Sequence, residues 1–160
     1  MSNPVTSKIV WKAITQELFA VLGMVTGEGE SRTVGIVYLV QDQKFYIGTG
    51  KNSWKARHIL KNKSVSMTIP IAKRVPVAPW IKIPQATITF SGTAKVISGD
   101  QAPEDLLTLV FRHKADDNQF MKDNCLIEVT PEGEFITYGV GIPLMKMRHP
   151  EQARGRASVI

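Results

Sequence analysis

Residues 46–62 read YIGTGKNSWKARHILKN, which gathers glycines, hydroxyls and lysines just ahead of a helix-like run. Lys51, Ser53 and Lys55 are residue types that hold a phosphate through charge-assisted hydrogen bonds. The start of a helix adds unpaired N–H groups and the positive end of its dipole. The run is not a nucleoside-triphosphate loop. That motif needs a glycine five positions before its second glycine and a Ser or Thr after the lysine. Phe45 and Asn52 occupy those positions. What remains is a strand-like run, a Gly/Thr/Lys/Asn/Ser loop and a helix from Trp54. Ser53 suits the cap, which puts Trp54 and Lys55 in the first turn. Lysine there is unfavourable unless something negative binds. The alternative is an ordinary cap beside two solvated lysines.

Other chemistry is sparse. His58, His113 and His149 are far apart and lack ligand spacing, so no metal site is expected. There is no G-x-S-x-G elbow, and Cys125 has no nucleophile context, so it reads as a small core residue. No G-x-G-x-x-G fingerprint occurs, nor the parallel-sheet pattern it requires. No residue is assigned a catalytic role. Charge says more. The net charge is +6, and no Asp or Glu falls between Asp42 and Asp100. That stretch holds Lys44, Lys51, Lys55, Arg57, Lys61, Lys63, Lys73, Arg74, Lys82 and Lys95. Folded together, these make a positive field that attracts an anion. A solvated basic face is the plain alternative, and nucleic acid is the other obvious anion.

The elements that must position the loop follow from periodicity. The chain has 160 residues, 43% hydrophobic and 21% charged, which predicts a single globular domain. Residues 1–6 are expected to be loose and 141–160 to form a C-terminal extension, packed on a partner or free. The N-terminus carries no signal-peptide pattern and no apolar run is long enough for a membrane span. One cysteine allows no internal disulfide, which fits a reducing cytoplasm. Residues 7–18 predict an amphipathic helix, and 19–26 a buried strand ended by the turn-rich GEGES. Residues 33–40 predict a second strand, joined to a third at 44–48 by a Gln-Asp-Gln hairpin turn. A helix over 54–62 and a strand over 64–71 follow. Residues 72–85, with Pro76, Pro79 and Pro84 around Trp80, read as an irregular loop. Residues 86–97 alternate cleanly as a strand. Residues 103–112 and 116–122 read as helical, and 126–130 with 134–140 as a last hairpin joined by Pro-Glu-Gly. Hairpin-ordered strands with few short helices argue for a mainly β, antiparallel barrel.

The order of elements over residues 7–140, and above all FYIGTGKNSWKARHILKNKSVSM within residues 32–71, resembles the pyridoxamine 5'-phosphate oxidase-related family of FMN-binding split barrels. The resemblance implies a six- to seven-stranded Greek-key split barrel with flanking helices. It implies that Thr49, Ser53 and Lys55 hold the FMN phosphate, with Lys51 in a basic position before the serine and Asn52 within the same loop. Trp54 departs from the pattern, standing where the family's oxidases carry Arg. The flavin ring is implied to lie against Val37, Tyr38 and Ile47, largely along backbone. A homodimer with flavin at the interface, acting on a small redox substrate without nucleic acid or membrane, is also implied. Arg148 and His149 do not fall in a context that assigns vitamin-B6 oxidase activity. The same fold with a deazaflavin or haem, or a flavin-storing protein without turnover, are alternatives within the resemblance. Outside it stands a nucleic-acid-binding barrel using Trp54, Trp80 and Phe90 as stacking platforms.

Overall fold

A computed structural model describes residues 5–73, 77–78, 80–81 and 83–160. Helix α1 (Ser7–Gln16) starts at Thr6, whose hydroxyl accepts the Ile9 amide, and buries Val10 and Ile14. Strands β1 (Phe19–Val25) and β2 (Ser31–Val37) form a hairpin across the expected turn, where Gly29 takes a φ of 85°. Strand β3 (Leu39–Gln41) then pairs with β4 (Lys44–Gly50). Asp42 and Gln43 both have positive φ between them, the pattern of a tight primed hairpin turn.

The single strand expected over 33–40 is therefore two. Their sheet order is β2-β1-β5-β6-β7-β4-β3, so β2 and β3 lie on opposite edges although one residue separates them. The sheet must curl for Tyr38 to bridge its two ends. Tyr38 is fixed there by its amide on the Leu18 carbonyl and its hydroxyl on the Ile14 carbonyl, 2.8 Å away. β-Branched periodicity could not show this break, because Tyr38 is as strand-like as its neighbours.

Helix α2 (Trp54–Lys61), β5 (Ser64–Ile71) and β6 (Ala86–Ser98) follow as read. The irregular loop at 72–85 lies partly outside the described residues, Pro76 and Pro79 included. Helices α3 (Glu104–Phe111) and α4 (Asn118–Asp123) cover the outer face of the sheet, around Tyr46, Leu106, Leu107, Met121 and Leu126.

The last hairpin does not exist. Strand β7 runs without a turn from Asn124 to Tyr138. Pro-Glu-Gly instead makes a bulge. Ser91 pairs with Glu132 and Thr89 with Ile136, so β7 spends two more residues than β6 there, and Gly133 takes a φ of 71°. Beyond the bulge β7 exchanges its partner β4 for β8 (Arg154–Ser158). The tail is thus part of the sheet. A 3-10 turn (Leu144–Arg148) and α5 (Pro150–Ala153) lead into β8. The Trp11 indole then donates to the Val159 carbonyl at 3.1 Å.

The core is built on Trp11, Tyr38, Phe45, Phe90 and Phe135, whose rings meet at 4.9–5.7 Å. Phe90 is buried here and offers no surface to a nucleic-acid base. The molecule is mainly β: an eight-stranded antiparallel sheet curled into a half-barrel with flanking helices. No described helix is long and apolar enough to cross a membrane.

Candidate functional site

Strand β4 ends in Gly48, Thr49 and Gly50, and the chain turns through Lys51 and Asn52 into Ser53. The Ser53 amide closes the turn on the Gly50 carbonyl at 3.0 Å. The Thr49 hydroxyl lies 3.2 Å from that of Ser53, which accepts the Ala56 amide at 3.3 Å. The Lys51 amide ties the turn to the Asp123 carbonyl, where α4 meets β7. Four amides at a helix start lack intrahelical partners. Ser53 and Ala56 find theirs as described, which leaves the Trp54 and Lys55 amides without a partner among the described residues. No acid occupies the first turn. Lys51 and Lys55 enter none of the ion pairs among the described residues. Asn52 is exposed at the turn's apex. Thr49, Lys51, Asn52, Ser53, Trp54 and Lys55 are thus brought together around one capped helix end.

Cys125 pairs with Thr49 across the sheet and is fully buried. Burial pushes its thiol pKa up, while Lys51 and Lys55 pull it the other way. The net effect keeps the thiol protonated and unreactive.

The ring-side residues divide. A cleft of about 270 Å³ opens where the two sheet edges meet. Val37 and Tyr38 line one side, Tyr46 and Gly48 of β4 the floor, and residues 109–112 at the end of α3 the other side. Ile47 does not line it, because its side chain faces the core. The cleft and the capped loop are consecutive along β4: Gly48 lines one and Thr49 begins the other. A side chain at Gly48 would collide with Phe111 and Val110. Arg112 sits on the wall with φ 53° and ψ −129°, a strained conformation for a non-glycine residue. Tyr46, Gly48 and Arg112 escaped the sequence reading. Alternation along β4 turns Tyr46 and Gly48 out when Phe45 and Ile47 turn in, so that signal was present. Nothing local places α3 over them.

Behind Tyr46 lies Glu128, 7% exposed. Its carboxylate accepts from the Tyr46 hydroxyl at 3.0 Å, the Lys95 ammonium at 3.1 Å and the Lys44 ammonium at 3.2 Å. Burial pushes the carboxyl pKa up, but the bonds from Lys95, Lys44 and Tyr46 outweigh it and hold it below the ordinary value. Burial and Glu128 push the Tyr46 phenol up to about 12, so it stays a donor. No group of three or more metal-ligating side chains occurs among the described residues.

A family model described as pyridoxamine 5'-phosphate oxidase matches residues 10–137. The chain belongs to this family. The fold is also that of several solved members and neighbours. HutZ, the haem storage protein from Vibrio cholerae, superposes with a TM-score of 0.65 at 16% identity, over 86% of this chain and 98% of that one. A haem-binding protein from Mycobacterium smegmatis superposes at 0.65 and 13%, over 99% of this chain and 60% of that one. A putative pyridoxamine 5'-phosphate oxidase from Listeria innocua superposes at 0.59 and 16%, over 79% and 93%. At such identities the likeness is one of fold. No curated protein sequence matches the chain.

Proposed function

We propose that this family member binds FMN, with the phosphate at residues 49–55 and the ring at the cleft, and works as an FMN-dependent oxidoreductase. The observation that carries this is the capped start of α2. It presents two unpartnered amides with Lys51 and Lys55, and a bound anion relieves the unfavourable placing of cations at a helix start. Its position one residue beyond the cleft floor suits a ligand with a phosphate at one end and a ring at the other. Bound flavin supplies the redox chemistry, and the protein supplies binding and orientation. Thr49 and Ser53 hold the loop, Lys51 and Lys55 neutralise the phosphate, and Val37, Tyr38 and the β4 backbone at Ile47 border the ring. Trp54 contributes its amide in place of a cation.

Haem is the second reading, favoured by the two haem-protein neighbours. The cleft lining argues against it. It holds no His, Cys or Met among the described residues, and its two tyrosine hydroxyls are already bonded to Ile14 and Glu128. A cleft of about 270 Å³ falls short of a full ligand pocket, and exposed Leu18, Val37 and Leu109 rim it. These features support a homodimer whose second subunit completes the site. The single buried thiol suits the cytoplasm.

Titration of apoprotein with FMN and riboflavin tests the phosphate role. The double change Lys51→Ala, Lys55→Ala should weaken FMN at least about tenfold, or ~1.4 kcal/mol, and leave riboflavin unchanged. Equal losses for both ligands would refute it.

A further inference from the structure

Arg112, the strained residue on the cleft wall, is also the one charged residue among the described residues that line the cleft. It is exposed and enters no ion pair among the described residues. Its basic neighbours do not share the position. His113 and Lys114 follow in the 3-10 turn Arg112–Lys114 and do not line the cleft, and the Lys114 ammonium lies over the Phe120 ring at 5.1 Å. The backbone at Arg112 is held from both sides. Phe111 seats on Gly48, where an added Cβ would fall 2.7 Å from its ring, and meets Phe120 edge-on at 5.4 Å. The Arg112 amide closes α3 on the Thr108 carbonyl. These contacts impose the positive φ on whichever residue follows Phe111. Glycine would take that φ at no steric cost, whereas a side chain there costs stability. An exposed side chain offsets little of that cost by packing.

We infer that Arg112 selects the substrate by binding its carboxylate at the mouth of the cleft. The inference rests on the FMN reading, which puts the ring in the cleft, and names the class of molecule that meets it. The apolar and aromatic lining suits the ring. A molecule that approaches from solvent past the end of α3 meets the exposed guanidinium first. Charge narrows the class further. One guanidinium matches one carboxylate, with two parallel N–H donors on two oxygens. A phosphate monoester carries about −1.5 to −2 and would be left half-neutralised. The nearby cations cannot make up the difference, because Lys44 and Lys95 are already paired with Glu128. A neutral substrate would leave the guanidinium with no partner and the strain with no return.

The test titrates the FMN-loaded protein with benzoate and with benzamide, a neutral molecule of the same shape, and follows the flavin absorbance. The wild type should bind benzoate at least about tenfold tighter than benzamide. Arg112→Gly should bind the two equally and keep its affinity for FMN. It should also unfold at no lower a urea concentration than the wild type, because glycine relieves the positive φ. Arg112→Lys, which keeps the charge without the fork, should retain part of the preference. Equal affinities in the wild type, or no response to either molecule, overturn the inference and leave the phosphate site standing. An Arg112→Gly variant that keeps the preference does the same. So does one that loses FMN in equal proportion, which would make Arg112 a flavin contact. A lower urea midpoint overturns the strain argument on which the inference stands. Failure of FMN to bind overturns the phosphate site and this inference with it.

Discussion

Glu128 is a buried carboxylate held by two lysines and a tyrosine from neighbouring strands. Removing its charge while keeping its shape should show what it does. Glu128→Gln leaves Lys44 and Lys95 facing a neutral amide. Both lysines are partly exposed, so the loss should be modest, roughly 1–2 kcal/mol by urea denaturation. The pH dependence has a fixed sign. The folded pKa lies below the ordinary 4.5, so the stabilisation is complete above 4.5 and is lost as pH falls through the folded value. The wild type should lose more stability than Glu128→Gln between about pH 5 and 3. Parallel pH profiles would show that the carboxylate is not held ionised. Ser53 is the other residue with a simple test. Ser53→Ala removes the acceptor of the Ala56 amide and should cost about 1 kcal/mol. Ser53 was legible because a cap depends on its immediate neighbours. Glu128 was not, because its three partners come from β4 and β6, far away in sequence.

The elements divide in the same way. Helix α2 and strands β5 and β6 follow from periodicity and flanking signals, since each obeys a single period throughout. The Pro-Glu-Gly stretch in β7 misleads because turn chemistry also serves a bulge. Which one forms depends on whether the chain turns back on itself or keeps pairing with β6. The tail misleads for a related reason. Strand β8 is five residues long, rich in Arg and Gly, and becomes a strand only by pairing with β7. Its role is measurable. Deleting residues 154–160 removes buried Ala157 and Val159, uncovers Phe135 and strips the Trp11 indole of its acceptor. The expected loss is roughly 2–4 kcal/mol, read as a lower urea midpoint. An unchanged midpoint would mean the tail is an appendage rather than part of the sheet.

The whole molecule curls so that one residue, Tyr38, joins both edges of the sheet, and the cleft opens beside that seam. The seam brings Val37 and Tyr38 opposite Tyr46 and Gly48, and β4 carries the chain from the cleft floor to the capped loop. The sequence motif located the loop without the cleft, because the cleft exists only once the edges meet. Leu18, Val37 and Leu109 remain exposed around it, which fits a surface covered by a second copy. Sedimentation equilibrium should give a mass near twice the 17.7 kDa of one chain. Val37→Arg should shift that mass towards the monomer. The central claim is that this fold holds a flavin, and the visible absorption spectrum of the apoprotein reconstituted with excess flavin and then desalted tests it most directly. A retained flavin spectrum at about one flavin per chain is the expected result. A colourless protein after reconstitution, or one that retains haem and no flavin, would contradict it.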